Sequence, residues 1–204
     1  HEIVKDTDSV YTGIIEHLVD DQYIDHFYDG EEVYVEKEDV NLQPNQFLML
    51  VSNSNEKKTA LARFSDYVNP LKKIHKFDNV WGIHARNKEQ SFAFSLLMDP
   101  QIPVVSLIGK AGTGKTLLAI AAGLEQIMGG QGNDIYSKLI VSRPVQPMGK
   151  DIGFLPGTLE EKMMPWLAPI QDNLEYLMGN DKLAMRDHID KGVIEVEALT
   201  YIRG

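Results

Sequence analysis

The chain has 204 residues, 43% of them hydrophobic, which supplies a core for one domain or two small ones and excludes a disordered chain. It has no cysteine, which excludes disulfides, thiolate metal sites and thiol nucleophiles. A net charge of -10 counts against a broad nonspecific nucleic-acid surface, since affinity for a phosphate backbone comes from Lys and Arg, but leaves room for a local basic channel.

No signal-type segment or long apolar run occurs, so a soluble cytoplasmic protein is expected. Residues 1 to about 79 suggest a small, mostly β module. Val10–Val19 reads as a strand, and Asp20–Tyr28 as a short helix capped by Asp20 or Asp21. Asp29-Gly30 signals a turn, and Glu32-Val33-Tyr34-Val35 alternates like a strand. The acidic run of Glu31, Glu32, Glu36, Glu38 and Asp39 reads as a solvated edge. Phe47–Ser52 and Thr59–Phe64, joined by polar Asn53–Lys58, form a hairpin signal. His17 and His26 lack metal-ligand spacing and read as ordinary polar histidines. Lys72–Asp78 reads as a linker.

From Asn87 to Met98 the pattern is helical, with Phe92, Leu96 and Leu97 on one face. Asn87 is the expected N-cap and Gln90 the third helical position. Asp99-Pro100 ends the helix. Ile102–Ile108 is a short apolar run that reads as a buried parallel strand. It leads into Gly109-Lys110-Ala111-Gly112-Thr113-Gly114-Lys115-Thr116, which fits the phosphate-binding pattern G-x-x-x-x-G-K-[ST] at every fixed position. Leu117–Met128 then reads as a buried helix. Gly112 and Gly114 allow a tight turn and a close backbone approach to a phosphate. Free amides and the helix dipole favour the anion. Lys115 supplies a point charge for the terminal phosphates, and Thr116 a hydroxyl for Mg²⁺.

Gly129–Ser137 reads as a loop, and Lys138–Ser142 as a second buried strand. A long loop with three prolines follows, from Arg143 to Gly157. Thr158-Leu159-Glu160-Glu161 is a capping box. The helix it opens is expected to kink or restart at Pro165. Trp166, Ile170, Leu174 and Leu177 make its stripe, with Trp166 read as core in preference to a base-stacking platform. Asp181–Lys191 reads as a short helix and Val193–Leu199 as a third strand.

The phosphate loop with Leu117-Leu118-Ala119, Val141-Ser142-Arg143-Pro144 and Met148–Gly157 together resembles the PhoH family of ATPases. Glu160-Glu161-Lys162 with Pro165-Trp166 and Arg86–Gln90 extend the likeness, which covers about residue 80 to the end. The resemblance implies an α/β P-loop NTPase domain over 80–204, with a parallel sheet like the RecA-like core of superfamily 1 helicases. It implies that 1–79 is the β-rich connector of longer members, in which a PIN ribonuclease domain comes first; no PIN domain is read here. It further implies ATP hydrolysis with Mg²⁺, coupled to work on single-stranded RNA, in a hexameric ring of subunits. By that analogy Gly109 through Leu117 hold the nucleotide, Gln90 reads the adenine edge and Arg86 and Asn87 support it; the alternative is that Asn87 and Gln90 only cap a helix. Arg143 and Lys150 are candidates for nucleic-acid phosphate contact, or else for intrachain ion pairs. The family's Walker B Asp-Glu is expected after the third strand, yet no four apolar residues followed by Asp-Glu occur in the 204 residues. The chain therefore reads as an ATPase fragment that binds nucleotide without efficient turnover. A small-molecule kinase and a nucleotide-controlled assembly module are the rival readings.

Overall fold

The computed structural model describes residues 13–74, 79–130, 134–144 and 159–198. The chain divides into two compact units, His1–His75 and Lys76–Gly204.

The first unit is built on four strands in the order β1-β2-β3-β4. β1 (Ile14–Val19) and β2 (Phe47–Ser52) run parallel, with Ile14 opposite Phe47. A parallel pair needs a crossover, and α1 (Asp21–Tyr28) lies in it. β3 (Thr59–Arg63) returns antiparallel as the expected hairpin, and a two-residue β4 (Lys72–Lys73) pairs with Ala62 and Arg63 where a linker was expected. The sheet is therefore mixed. Asp20 holds the N-cap position of α1 without a side-chain bond to the helix; its carboxylate accepts from Asn53 Nδ2. Asp21 accepts from the Ser52 and Ser54 hydroxyls and sits 3.7 Å from Lys58, which together hold its carboxyl below its ordinary pKa. Ile24, Leu48, Leu50, Ala62 and Phe64 fill the core.

Glu32–Val35 keeps the expected alternation in burial: Val33 and Val35 are buried, Glu32 and Tyr34 exposed. It is not a strand. Alternation records which side packs on the core; a strand also needs a ladder, and here a bond from Leu71 N to Val33 O (2.8 Å) ties the segment down.

The second unit contains α2 (Lys88–Leu97), α3 (Lys115–Met128), β5 (Leu139–Arg143), α4 (Leu159–Leu177), α5 (Lys182–Asp190) and β6 (Ile194–Ala198). β5 and β6 are parallel, with Leu139 opposite Ile194. α3 buries Leu118, Ile120, Ala121, Ala122 and Leu124 against Phe94, Leu167, Ile170, Leu174 and Ile194. Phe94, outside the expected stripe of α2, is its most buried residue. α5 opens on Asp181, whose carboxylate accepts from Leu183 N and Ala184 N at 3.0 Å each.

Two expectations fail here, and of the kink or restart expected at Pro165 the restart is absent. Ile102–Ile108 is neither buried nor paired: Val104 is 80% and Ile108 96% exposed, and no described strand lies beside them. Apolar content marks a segment that favours burial, but only a neighbouring ladder makes it a sheet strand. β5 likewise is only half covered, with Ile140 55% exposed. Finally, α4 does not restart at Pro165; one helix runs through both Pro165 and Pro169. Each proline removes a backbone donor, and the helix is held by its buried stripe. Asn173 Nδ2 donates to Pro169 O at 2.7 Å, satisfying a carbonyl in the same stretch. Thr158 of the capping box lies outside the described residues, and so does the side chain of Trp166.

Trp81 ties the second unit together. Its backbone N–H donates to Glu125 Oε2 (3.0 Å) on α3, and its indole N–H donates to Leu177 O (2.9 Å) at the end of α4. Leu174, fully buried one turn earlier, anchors the same packing. Leu174→Ala should destabilise this unit by about 2–5 kcal/mol. Both tryptophans of the chain, Trp81 and Trp166, lie in it, so urea unfolding followed by tryptophan fluorescence reads that loss directly.

Candidate nucleotide site

The glycine loop turns directly into α3. Gly112 (φ 80°) and Gly114 (φ 87°) both take the left-handed conformation. A side chain there would cost about 1–2 kcal/mol per residue, so the two positions call for glycine. Gly114 is the N-cap of α3, and the helix's first bond runs from Leu118 N to Gly114 O at 2.9 Å. The amides of Lys115, Thr116 and Leu117 therefore have no acceptor within the helix. They lie at the positive end of a 14-residue dipole.

Lys115 is the first helical residue. Its ammonium donates to the carbonyls of Gly109 and Lys110, both at 2.7 Å, and so occupies the hollow of the loop. Thr113 Oγ1 donates to Lys110 O at 2.8 Å and braces the same turn. Gly109 is tight as well: a Cβ there would stand 3.3 Å from Thr113 Oγ1. Lys110, Ala111 and Thr116 are exposed, and Leu117 is half-buried.

The segment before α2 meets the loop through one side chain. Gln90 Oε1 accepts from Arg86 N at 2.8 Å, and Gln90 Nε2 donates to Thr113 O at 3.3 Å. Gln90 thus joins the turn at Arg86 to the phosphate loop. Asn87 caps α2, its Oδ1 accepting from Gln90 N at 2.8 Å.

Beside the loop lies a pocket of about 310 Å³. One wall is Gly82, Ile83, His84, Arg86 and Gln90; another is Gly112 to Gly114 with Leu117 and Leu118; Tyr176 of α4 closes a third side. The structure therefore gathers Arg86, Gln90, Gly112, Thr113, Gly114 and Leu117, and Asn87 holds the turn next to them. Arg143 ends β5 and is exposed; it is not among the pocket residues, and Lys150 lies outside the described residues. Sequence reasoning missed His84 and Tyr176. Tyr176 sits off the apolar stripe of α4, which is the pattern of an ordinary surface residue. Among the described residues no group of three or more His, Asp or Glu could hold a metal, and no helix is long and apolar enough to cross a membrane.

A glycine loop at left-handed φ, opening a helix on its lysine in an α/β setting, is the arrangement of the P-loop class of nucleotide-binding proteins. The chain belongs to the PhoH family, whose description, PhoH-like protein, matches residues 82–204. It is similar to Protein PhoH2 of Bacillus subtilis (strain 168), 44% identical over 208 residues, covering 98% of this chain and 46% of the relative. Protein PhoH2 of Mycolicibacterium smegmatis is 36% identical over 201 residues, covering 96% of this chain and 43% of the relative. A PhoH-like protein of Bacillus subtilis is 39% identical over 97 residues, covering 48% of this chain. The chain thus spans a little under half the length of the two PhoH2 relatives. No solved structure matches it.

The Gln90 geometry allows its two expected roles to be separated. If its amide also reads an adenine edge, Gln90→Ala should narrow the gap between ATP and GTP affinity, by about 1–3 kcal/mol for a lost hydrogen-bond pair. Titration with both nucleotides decides: equal weakening for both, with the ratio kept, assigns Gln90 to holding the loop alone.

Proposed function

We propose that this chain is the nucleotide-binding part of an ATPase that acts on RNA in the intact protein. The observation that carries the reading is the paired left-handed glycines at the start of α3, with the Lys115 ammonium held in the loop between two carbonyls. On this reading the triphosphate enters the loop and Lys115 exchanges its carbonyl contacts for the terminal phosphate oxygens. Gly109 through Leu117 line the phosphates, and the free amides of α3 face them. The base lies toward Arg86 and Gln90, with Asn87 holding that turn. Hydrolysis breaks the bond from the γ phosphorus to the bridging oxygen, while water supplies the oxygen of the new bond.

Thr116, exposed in the first turn beside Lys115, has the hydroxyl that would hold Mg²⁺. The metal supplies charge neutralisation on the phosphate oxygens. The four-apolar Asp-Glu signature that would give it a carboxylate partner does not occur in the 204 residues. The site is thus equipped for holding phosphate more fully than for cleaving it. Coupling to single-stranded RNA through Arg143 and Lys150, a hexameric ring and a cytoplasmic setting belong to the same proposal, as does a RecA-like, superfamily 1 helicase-like arrangement. Residues 1–79 are assigned as a connector and 80–204 as the ATPase domain.

Two measurements test it. Lys115→Ala should remove most affinity for a labelled ATP analogue while the fold survives; unchanged binding would sink the assignment. The chain itself should bind Mg²⁺-ATP yet release phosphate near the uncatalysed background, and robust turnover would mean that a catalytic acid sits among these residues unrecognised. A small-molecule kinase would instead show phosphate transfer to an acceptor.

The RNA part is tested separately. Single-stranded RNA should bind weakly, with affinity falling as salt rises, because neutralising phosphates releases counterions. Arg143→Ala or Lys150→Ala should weaken it. Binding insensitive both to salt and to these substitutions would remove this region as the contact.

A further inference from the structure

We propose that Tyr176 is the stacking platform for the nucleobase and makes the site hold nucleosides of any base in addition to bare phosphate chains; this rests on the P-loop reading above. The argument begins with position. Tyr176 lies on α4 between the buried residues Leu174 and Leu177, so its backbone is fixed by the core, yet the residue is 60% exposed. It lines the same pocket as Gly112 to Gly114, the part of the loop next to the helix start.

The Gly82–His84 part of the lining is tied to the same helix. Trp81 and Gly82 both hold left-handed backbone, at φ 48° and 77°. Gly82 N donates to Asn79 Oδ1 at 2.7 Å, and Val80 and Ile83 exchange two backbone bonds of 2.9 Å. The indole of Trp81 donates to the carbonyl of Leu177, the residue after Tyr176. One hydrogen bond thus sets the spacing between the Gly82–His84 wall and the helix that bears Tyr176. A pocket of about 310 Å³, lined both by Tyr176 and by the phosphate loop, suits a base and its sugar.

The chemistry divides between stacking and hydrogen bonding. A ring face attracts every base, since each has a π-face, and so gives affinity without discrimination. Discrimination between bases needs hydrogen bonds to a base edge, for which Gln90, His84 and Arg86 line the same pocket. Tyr176 therefore sets how tightly a nucleoside is held above its phosphates.

The test uses the 204-residue chain with ATP, GTP, CTP and inorganic tripolyphosphate as probes, and an etheno-adenine nucleotide as a spectroscopic one. Tyr176→Ala should weaken all three nucleotides by about tenfold or more, leave tripolyphosphate affinity unchanged and abolish the quenching of etheno-adenine fluorescence. Tyr176→Phe and Tyr176→Trp should keep both affinity and quenching. Equal losses for tripolyphosphate and ATP would show a structural role and overturn the proposal, as would wild-type nucleotide affinity in Tyr176→Ala. A wild-type chain that binds tripolyphosphate as tightly as ATP overturns it while leaving the P-loop reading intact. A wild-type chain that binds neither overturns both.

Discussion

The first turn of a helix cannot bond its own leading amides, and in α3 that deficit is turned toward a loop with two left-handed glycines. Much of the second unit serves this constraint. α3 must be immobile for its amides to be aimed, and its buried face of Leu118, Ile120, Ala121, Ala122 and Leu124 makes it so. Gln126 adds a polar clamp from inside the core, donating to Leu97 O at 3.0 Å, so α2 and α3 are joined at one end by Gln126 and at the other by Gln90. The loop is thus set between two helices that are themselves tied together.

Much of this was legible in the sequence, for identifiable reasons. α3, the β2–β3 hairpin, the cap at Asn87 and the short helix α5 all follow from local rules, glycine and cap chemistry above all, which act within a few residues of chain. The phosphate loop is the extreme case, because its geometry is fixed by φ values that its own residues dictate. What was not legible depends on partners distant in sequence. Val33 and Val35 pack inward without a ladder; Ile102–Ile108 is apolar without a strand beside it. Tyr176 is off the stripe of its helix, and only the fold brings it to a pocket whose other walls come from Gly82–Gln90 and the phosphate loop, far earlier in the chain. Pro165 and Pro169 show the reverse, a local rule overridden by the burial of Leu167, Ile170 and Leu174.

The first unit rests on a different logic. Its parallel β1–β2 pair is bought with a crossover, and the electrostatics of α1 close the hairpin loop: Lys58 lies 2.7 Å from Asp25 and 3.7 Å from Asp21, while the Ser52 and Ser54 hydroxyls both donate to Asp21. Hydroxyls and an ammonium on one carboxylate hold the hairpin tip against the start of the helix. Exposed pairs of this kind contribute little stability singly. Their shared carboxylate makes them a registration device for the turn.

The exposure of Val104 and Ile108 has a colloidal consequence. Val104 and Ile108 keep apolar surface in water that a second apolar surface would remove from it. Mutual repulsion from a charge of -10 keeps copies apart at low ionic strength, and that repulsion reaches only about 8 Å at physiological salt. Added salt shortens the reach of that repulsion, and exposed apolar side chains such as Val104 and Ile108 then meet another copy against less opposition.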